Sequence, residues 1–403
     1  MNLENEVKNV ILSNLKRPSD IKIGIEIENI IYNDKNQRIK VNPSDSFSAT
    51  DLINNIKNTG NYSLEPGGQL EWGSKPYTNL NDLEKSIRAN IESLKKTLNE
   101  KNLKIMPFGL DPYYSPDQIE LIDQNKYKIM DRNMIRSGSM GQWMMRCTSS
   151  IQVNIDASTE SEMEETAFIA DCLHPIAAYL FSNSPFKSEK PAHQKNLRGI
   201  IWANTDNNRC NNLFDHGIVS KTGLLDKYID FFLKSPSIFA FNEKGKTIRS
   251  VQSFGQLIKA QRIKGAAKNK LILSYLRQIF TNVRIKNLVE IRGADRTPEG
   301  YEIAPAAFWA GLLMEPSVRD DILYTISLWS TKDRILLNEA GLSLNINQAG
   351  PFNKTFGYWI NHFGCLALKG LKNRELGEEN LFKDFFDSVM HEGPFSLSGQ
   401  RCE

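Results

Sequence analysis

The sequence predicts an α+β protein centred on a mainly antiparallel sheet, with helices packed against one side of it. Three observations carry that prediction. Four separate segments alternate with a period of two, with aliphatic side chains on one parity and carboxylates, amides or an arginine on the other. Around them run stretches with apolar residues at three- and four-residue steps, the clearest over residues 79–100. Beyond Asp215 the chain is mostly of that helical kind.

In order, residues 3–15 predict a short helix with Leu3, Val7, Val10 and Ile11 on one side and Pro18 closing it. The first alternating segment is Ile21-Lys22-Ile23-Gly24-Ile25-Glu26-Ile27-Glu28. Its two acids stand about 7 Å apart on one strand face and repel unless solvated, protonated or bridged by cations. Asn33-Asp34-Lys35-Asn36 reads as a turn into a second strand around residues 37–41, and residues 48–59 as a helix. The second alternating segment, Leu64-Glu65-Pro66-Gly67-Gly68-Gln69-Leu70-Glu71-Trp72, puts Glu65, Gln69 and Glu71 on one parity and Leu70 and Trp72 on the other. Its proline and paired glycines mark a bulge or sheet edge where the backbone comes close to something.

The helix over 79–100 presents Leu80, Leu83, Ile87, Ile91, Leu94 and Leu98 to the back of the sheet. A strand over 104–109 and a proline-bearing loop over 111–117 follow, and the loop continues through Lys126-Tyr127-Lys128-Ile129-Met130 to Gly138-Ser139-Met140-Gly141. The third alternating strand is Ile151-Gln152-Val153-Asn154-Ile155-Asp156. An apolar helix over 161–182 should kink at His174-Pro175, where an amide is missing. His174 reads as a packed residue rather than a ligand, since no metal-spaced partner sits beside it. Residues 198–209 read as a polar loop with two fixed cations, Arg198 and Arg209, and further helices are expected over 223–234, 268–281, 305–315, 317–340 and 378–390. The fourth strand, Leu288-Val289-Glu290-Ile291-Arg292-Gly293-Ala294-Asp295, sets Glu290 and Arg292 opposite Val289 and Ile291.

With 403 residues, 40% hydrophobic, the chain can bury one large core or two smaller ones. A net charge of +3 from 50 basic and 47 acidic residues argues against a nucleic-acid partner, which clustered cations would signal. No stretch approaches the roughly 18 uncharged residues of a membrane span, and the start lacks a signal-peptide core, so a cytoplasmic protein is expected. Cys147, Cys172, Cys210, Cys365 and Cys402 are too scattered for a disulfide framework or a zinc site; most are expected to be buried, with Cys402 exposed.

If the four strands share one sheet, its polar face collects Glu26, Glu28, Glu65, Glu71, Glu290 and Arg292. An acid-dominated face suits divalent cations bound by oxygen, magnesium or manganese rather than zinc, and those ions suit a triphosphate.

These residues resemble the glutamate–cysteine ligases of the plant and proteobacterial type. The resemblance rests on Gly24-x-Glu26-x-Glu28, Glu65-Pro66-Gly67-Gly68-Gln69-Leu70-Glu71, Tyr127-Lys128-Ile129-Met130, Met144-Met145 with Thr148 to Asp156, Asn183-Ser184-Pro185-Phe186, Ile201-Trp202 with Thr205-Asp206 and Arg209, and Arg292-Gly293-Ala294-Asp295 with Pro305-Ala306 and Phe308-Trp309. It runs from about Asp20 to Leu313 and thins beyond residue 317. It implies the fold of glutamine synthetases and guanidino kinases, a curved, mainly antiparallel sheet forming an active-site funnel with helices outside, as one carboxylate–amine ligase domain over residues 1–403.

It also implies that ATP phosphorylates the side-chain carboxylate of glutamate and that the amine of cysteine then attacks the acyl phosphate, the first step of glutathione-type thiol synthesis. By resemblance Glu26, Glu28, Glu65, Glu71 and Glu290 hold two or three Mg²⁺ ions, with Mn²⁺ as the alternative. Arg292 and Glu290 act in catalysis, Gln152, Asn154, Lys128 and Arg209 serve the nucleotide, and Trp202, Arg146, Met145 and Arg198 meet the amino-acid substrates. A local ion pair of Arg292 with Glu290 or Asp295 stays open as the structural reading.

Two departures from the family pattern bear on the acceptor pocket: Arg146-Cys147 after the methionine pair, and Arg296-Thr297-Pro298-Glu299 where a Gly-Gly-Pro-Trp run is usual. Another amine acceptor, a guanidino phosphotransferase and a catalytically silent nucleotide-binding protein are the competing functions. Partners are expected to be small molecules, with the chain a monomer or homodimer.

Overall fold

The computed structural model describes residues 2–56, 61–261 and 263–401. Among them the four alternating segments enter one seven-stranded sheet: β1 (Ile23–Asn33), β2 (Asn61–Leu64), β3 (Leu70–Gly73), β4 (Leu103–Met106), β5 (Ser150–Ile155), β6 (Val283–Ile285) and β7 (Val289–Asp295). The strand order is β6-β7-β5-β1-β3-β2, with β4 on the far end of β1, and every pairing is antiparallel. β1 is the hub. It pairs with β5 through residues 23–27, with β3 through 26–29 and with β4 through 30–33.

Period-two patterning becomes two faces. Ile23, Ile25, Ile27, Ile151, Val153, Ile155, Val289 and Ile291 enter the main core, where helix Glu160–Leu180 lies on β6 and β7 and helix Ala304–Leu313 on β1 and β5. Burying each such side chain contributes about 1.5–3 kcal/mol, which locks the strand register, since a one-residue slip would turn the acids inward. The α+β class and the antiparallel sheet with helices outside are as the sequence predicts.

Helix Glu160–Leu180 begins at Thr159, whose side chain accepts the Glu162 amide, and it runs unbroken through Pro175 among side chains that are almost all buried. Packing there outweighs the lost amide. Helix Ala304–Leu313 is buried along its whole length and meets helix Phe356–Asn373 backbone to backbone. A Cβ on Gly370 would stand 1.8 Å from the Gly311 carbonyl oxygen, and one on Gly311 would stand 2.2 Å from that of Ala367.

Several expectations are corrected. Residues 37–41 form only isolated bridges, Tyr32 with Arg38 and Lys40 with Ser48. The expected loop over 126–141 contains helix Asn125–Ser137 and leads into helix Gly141–Cys147; the former buries only Met134, so it leaves almost no apolar period to read. The expected loop over 198–209 begins instead inside helix Leu197–Ala203, capped by Asn196. The stretch 317–340 is two helices, Pro316–Ser327 and Thr331–Ser343, separated at the Ser330 capping box. The helix expected over 48–59 is Ala49–Asn55, and residues 57–60 lie outside the described residues. Cys147, Cys172 and Cys210 are buried free thiols and Cys365 is exposed, while Cys402 lies outside the described residues. Among the described residues no helix is long and apolar enough to cross a membrane.

The C-terminal stretch is tied to the first half of the chain. The Glu378 carboxylate accepts the Leu80 amide at 2.6 Å, at the start of helix Leu80–Asn99, and Arg374 holds it at 2.6 Å. Asn81 donates to the Leu376 carbonyl at 2.9 Å, and the Ser396 hydroxyl meets Ser182 at 2.7 Å and accepts the Ser184 amide at 2.7 Å.

Gly370→Ala should force the two helices apart and cost about 1–3 kcal/mol or more, read by urea unfolding, because a methyl group has no space at that contact.

Candidate active site

The polar parity of the sheet lines one cavity of about 610 Å³, into which Glu26, Glu28, Glu65, Glu71, Gln152 and Arg292 all project. Strand register brings the acids together: Glu28 lies opposite Glu71, and Glu26 opposite Gln152. Glu65 joins them from the turn between β2 and β3. Their hydrogen-bond partners are neutral. Glu28 accepts from Ser150 Oγ at 3.0 Å and Gln152 Nε2 at 3.1 Å, Glu26 from Asn154 Nδ2 at 3.1 Å, and Glu71 from Ser63 Oγ at 2.8 Å.

Burial therefore raises all four carboxyls above their ordinary range. Burial and then the neighbouring Glu71 and Glu28 push Glu65 furthest. Glu71 follows through burial and Glu28, and Glu26 through burial and Glu290; for Glu28, Arg198 only partly offsets the burial. Each gains by taking up a proton or a cation.

Glu290 is different. It is wholly buried beneath the cavity and carries three cations: Arg284 bidentately at 2.5 and 3.1 Å, Arg292 at 2.6 Å, and Lys286. Burial alone would raise its carboxyl, but Arg284, Lys286 and Arg292 hold it well below the ordinary range. The structure places Glu290, expected as a metal ligand, at the hub of these ion pairs, because the β6–β7 register sets Arg284 directly across from it. The ion pair between Arg292 and Glu290, left open from sequence, is present. Arg292 Nη1 also donates to Gln152 Oε1 at 2.5 Å, so the Gln152 amide links Glu28 to Arg292.

The other expected site residues divide. Met145 and Trp202 line the cavity. Trp202 has the Arg292 and Arg198 guanidinium carbons 5.3 and 5.6 Å from its ring centroid. Behind Trp202, Phe280 and Arg292 lies a second chamber of about 70 Å³, lined also by Arg198, Asn196 and Asn282. Arg198 is buried, donates to the Arg292 carbonyl at 3.2 Å and lies 3.8 Å from Asp295; its Nε and the Trp202 Nε1 are buried without an acceptor among the described residues. Asn154 holds Glu26 rather than lining the cavity.

Lys128 is half-exposed and pairs with Asp123, while Lys126 enters the cavity instead; two helical residues point about 200° apart. Arg209 is buried on Asp206 at 2.6 Å and the Pro236 carbonyl at 2.7 Å, away from the cavity. Arg146 is likewise spent on the Pro116 carbonyl and Asp131, both at 2.7 Å. Arg296 is buried on Asn29 at 3.0 Å and Glu302 at 2.8 Å. Neither departure from the family pattern therefore puts its arginine on the cavity wall.

Sequence reading missed Arg284 and Lys286, which line the cavity and alternate with Val283 and Ile285, a signal that was present, and also Phe239, Phe241 and Phe280 on its apolar side. The four acids fit a hard divalent ion in donor type and in their unmatched charge. Among the described residues no three acidic, histidine or cysteine groups close around one point. Ions held there would take further oxygens from a ligand or water, the usual habit of magnesium.

The family model for glutamate-cysteine ligase family 2 matches residues 22–341. Glutamate–cysteine ligase A, chloroplastic, of Oryza sativa subsp. indica is 31% identical over 281 residues, 68% of this chain and 56% of that protein. The chloroplastic glutamate–cysteine ligase of Arabidopsis thaliana is 31% identical over 281 residues, 68% of this chain and 53% of that one. The matched stretch thus spans about half the length of these curated relatives. A crystal structure of glutamate–cysteine ligase from Francisella tularensis in complex with AMP superposes with a TM-score of 0.62 at 12% identity, covering 96% of this chain and 85% of that one.

Two substitutions should separate the acid wall from the hub. Glu290→Gln leaves Arg284, Lys286 and Arg292 short of their buried counter-charge and should cost about 3–5 kcal/mol in thermal or urea unfolding. Glu65→Gln should act oppositely. The parent loses stability as pH rises from the ordinary carboxylate range through the raised folded-state value of Glu65, and the glutamine does not, so the variant should gain on the parent from pH 4 to pH 8.

Proposed function

Because the chain belongs to glutamate-cysteine ligase family 2, we propose that it is an ATP-dependent γ-glutamyl ligase that joins the side-chain carboxylate of L-glutamate to the amine of L-cysteine. The observation that carries this reading is the segregation of charge in one cavity, four carboxylates without an ion pair among the described residues on one wall and Arg284, Lys286 and Arg292 on another. A carboxylate is a poor electrophile. Transfer of the γ-phosphoryl group of ATP to the glutamate side chain releases ADP and gives an acyl phosphate; the acceptor amine then attacks the acyl carbon, phosphate leaves, and the nitrogen gives up its proton.

Glu26, Glu28, Glu65 and Glu71 would hold Mg²⁺ or Mn²⁺, which supplies neutralisation of phosphate charge. Arg292, anchored by Glu290 and Gln152, presents a fixed cation to the transferring phosphoryl group, with Lys286 and Arg284 beside it. The buried, acceptor-free Nε of Arg198 and Nε1 of Trp202 suit an amino-acid carboxylate in the chamber behind the indole. The AMP in the Francisella relative supports an adenine nucleotide as the phosphoryl donor. Cysteine is retained as the acceptor, since the arginines of both departures lie off the cavity wall, and the setting is cytoplasmic synthesis of a glutathione-type thiol.

The test is ADP release with glutamate alone, with glutamate plus a panel of amines, and with guanidines. Turnover should need ATP, a divalent ion, glutamate and cysteine, and Arg292→Ala should lower kcat by about 10²–10³-fold. Turnover on a guanidine without glutamate, or nucleotide binding with no turnover, would overturn the reading.

A further inference from the structure

Three of the four cavity carboxylates stand on paired strands; Glu65 stands on a turn. Like charges facing one cavity push each other outward, and the turn is the element best able to yield. It closes through the Gly68 amide on the Glu65 carbonyl at 2.8 Å and the Glu65 amide on the Gln69 carbonyl at 2.9 Å. On its inner side the Gln69 side chain accepts the Gly67 amide at 3.0 Å and donates to the Thr148 carbonyl at 2.8 Å. Gly67 lies so close to Arg146 that a Cβ would stand 2.6 Å from its backbone, the close approach that the glycine pair foretells.

On the outer side one guanidinium grips the turn. Arg38 Nη2 donates to the Gly67 carbonyl at 2.7 Å, and its Nη1 donates to Asp111 Oδ2 at 2.8 Å. The other oxygen of Asp111 accepts the Tyr32 hydroxyl at 2.6 Å and the amides of Tyr113 and Tyr114 at 3.0 and 2.8 Å. The Asp111 side chain is fully buried and that of Arg38 is 6% exposed, so neither serves as solvent-facing decoration. Tyr32 shares the parity of Glu26 and Glu28 on β1. One strand therefore carries two of the acids and, further along the same face, the anchor of the clamp that holds a third.

We propose that Arg38 is a positioning residue that, bridging the Gly67 carbonyl and the Asp111 carboxylate, holds the Glu65 carboxylate in fixed relation to Glu26 and Glu28 so that they can share divalent ions. The proposal rests on the metal-dependent reading above but not on the identity of the acceptor. Arg38 is not among the residues that line the cavity, and its effect passes through the backbone. A guanidinium can serve the carbonyl and the carboxylate together because its nitrogens form a fork, and a lysine ammonium at the same place keeps the charge but loses that geometry.

The experiment is Mn²⁺ binding to the full chain with a non-hydrolysable ATP analogue, read from the electron-paramagnetic signal of free Mn²⁺, for the parent, Arg38→Lys and Tyr32→Phe. Arg38→Lys should bind Mn²⁺ about tenfold more weakly with a thermal midpoint within a few degrees of the parent, and its ADP release should recover towards the parental rate as Mg²⁺ is raised. Tyr32→Phe keeps the Arg38–Gly67 bond and should bind Mn²⁺ nearly as the parent does. Parental Mn²⁺ affinity in Arg38→Lys, an equal loss in Tyr32→Phe, or a parent that binds no Mn²⁺ would overturn the inference. A parent that binds Mn²⁺ and loses it in Arg38→Lys, yet ligates nothing to glutamate, would sink the ligase reading and leave this one standing.

Discussion

Repulsion among four carboxylates that face one cavity is the constraint on which the site depends. A chain can relieve such repulsion by giving each acid an arginine or lysine in an ion pair, and among the described residues Glu26, Glu28, Glu65 and Glu71 have none. Serine, asparagine and glutamine side chains hold Glu28, Glu26 and Glu71 instead. Neutral donors fix the direction of a carboxylate without cancelling its charge, which leaves that charge available to a cation from solution. The cost is borne by the aliphatic parity of the same strands, whose burial under two helices holds the register.

The cationic side is built by the opposite rule. Arg284, Lys286 and Arg292 converge on Glu290, so their own mutual repulsion is settled beneath the cavity floor and their outer faces remain directed at the space above. Gln152 stands between the two systems. Its amide donates to Glu28 and accepts from Arg292, so one side chain serves an anion and a cation at once without joining them in a salt bridge.

The parts of this architecture legible from sequence are those with a short period. Alternation in β1, β5 and β7 identified both the sheet and the face on which Glu26, Glu28, Gln152 and Arg292 lie, because in a strand parity alone decides the side. It could not say that Glu290 lies below its own strand face's cavity, since that depends on Arg284 arriving from a hairpin partner. Helical residues were harder. Choosing Lys128 over Lys126 turns on a rotation that a helix with one buried residue does not reveal. Arg146 and Arg209 are cations like any other in sequence, and only tertiary carbonyls and aspartates show them to be spent.

The bonds between the C-terminal stretch and the first half of the chain carry a consequence for modularity. Residues past 341 lie outside the span that the family model matches, yet helix Phe356–Asn373 sheathes the helix behind β1 and β5, and Glu378 supplies the amide acceptor for the start of helix Leu80–Asn99. The matched span and the stretch beyond it are therefore joined by hydrogen bonds and helix packing. A gene fusion or domain swap drawn at that boundary would transplant the sheet's polar face without part of the helical layer behind it.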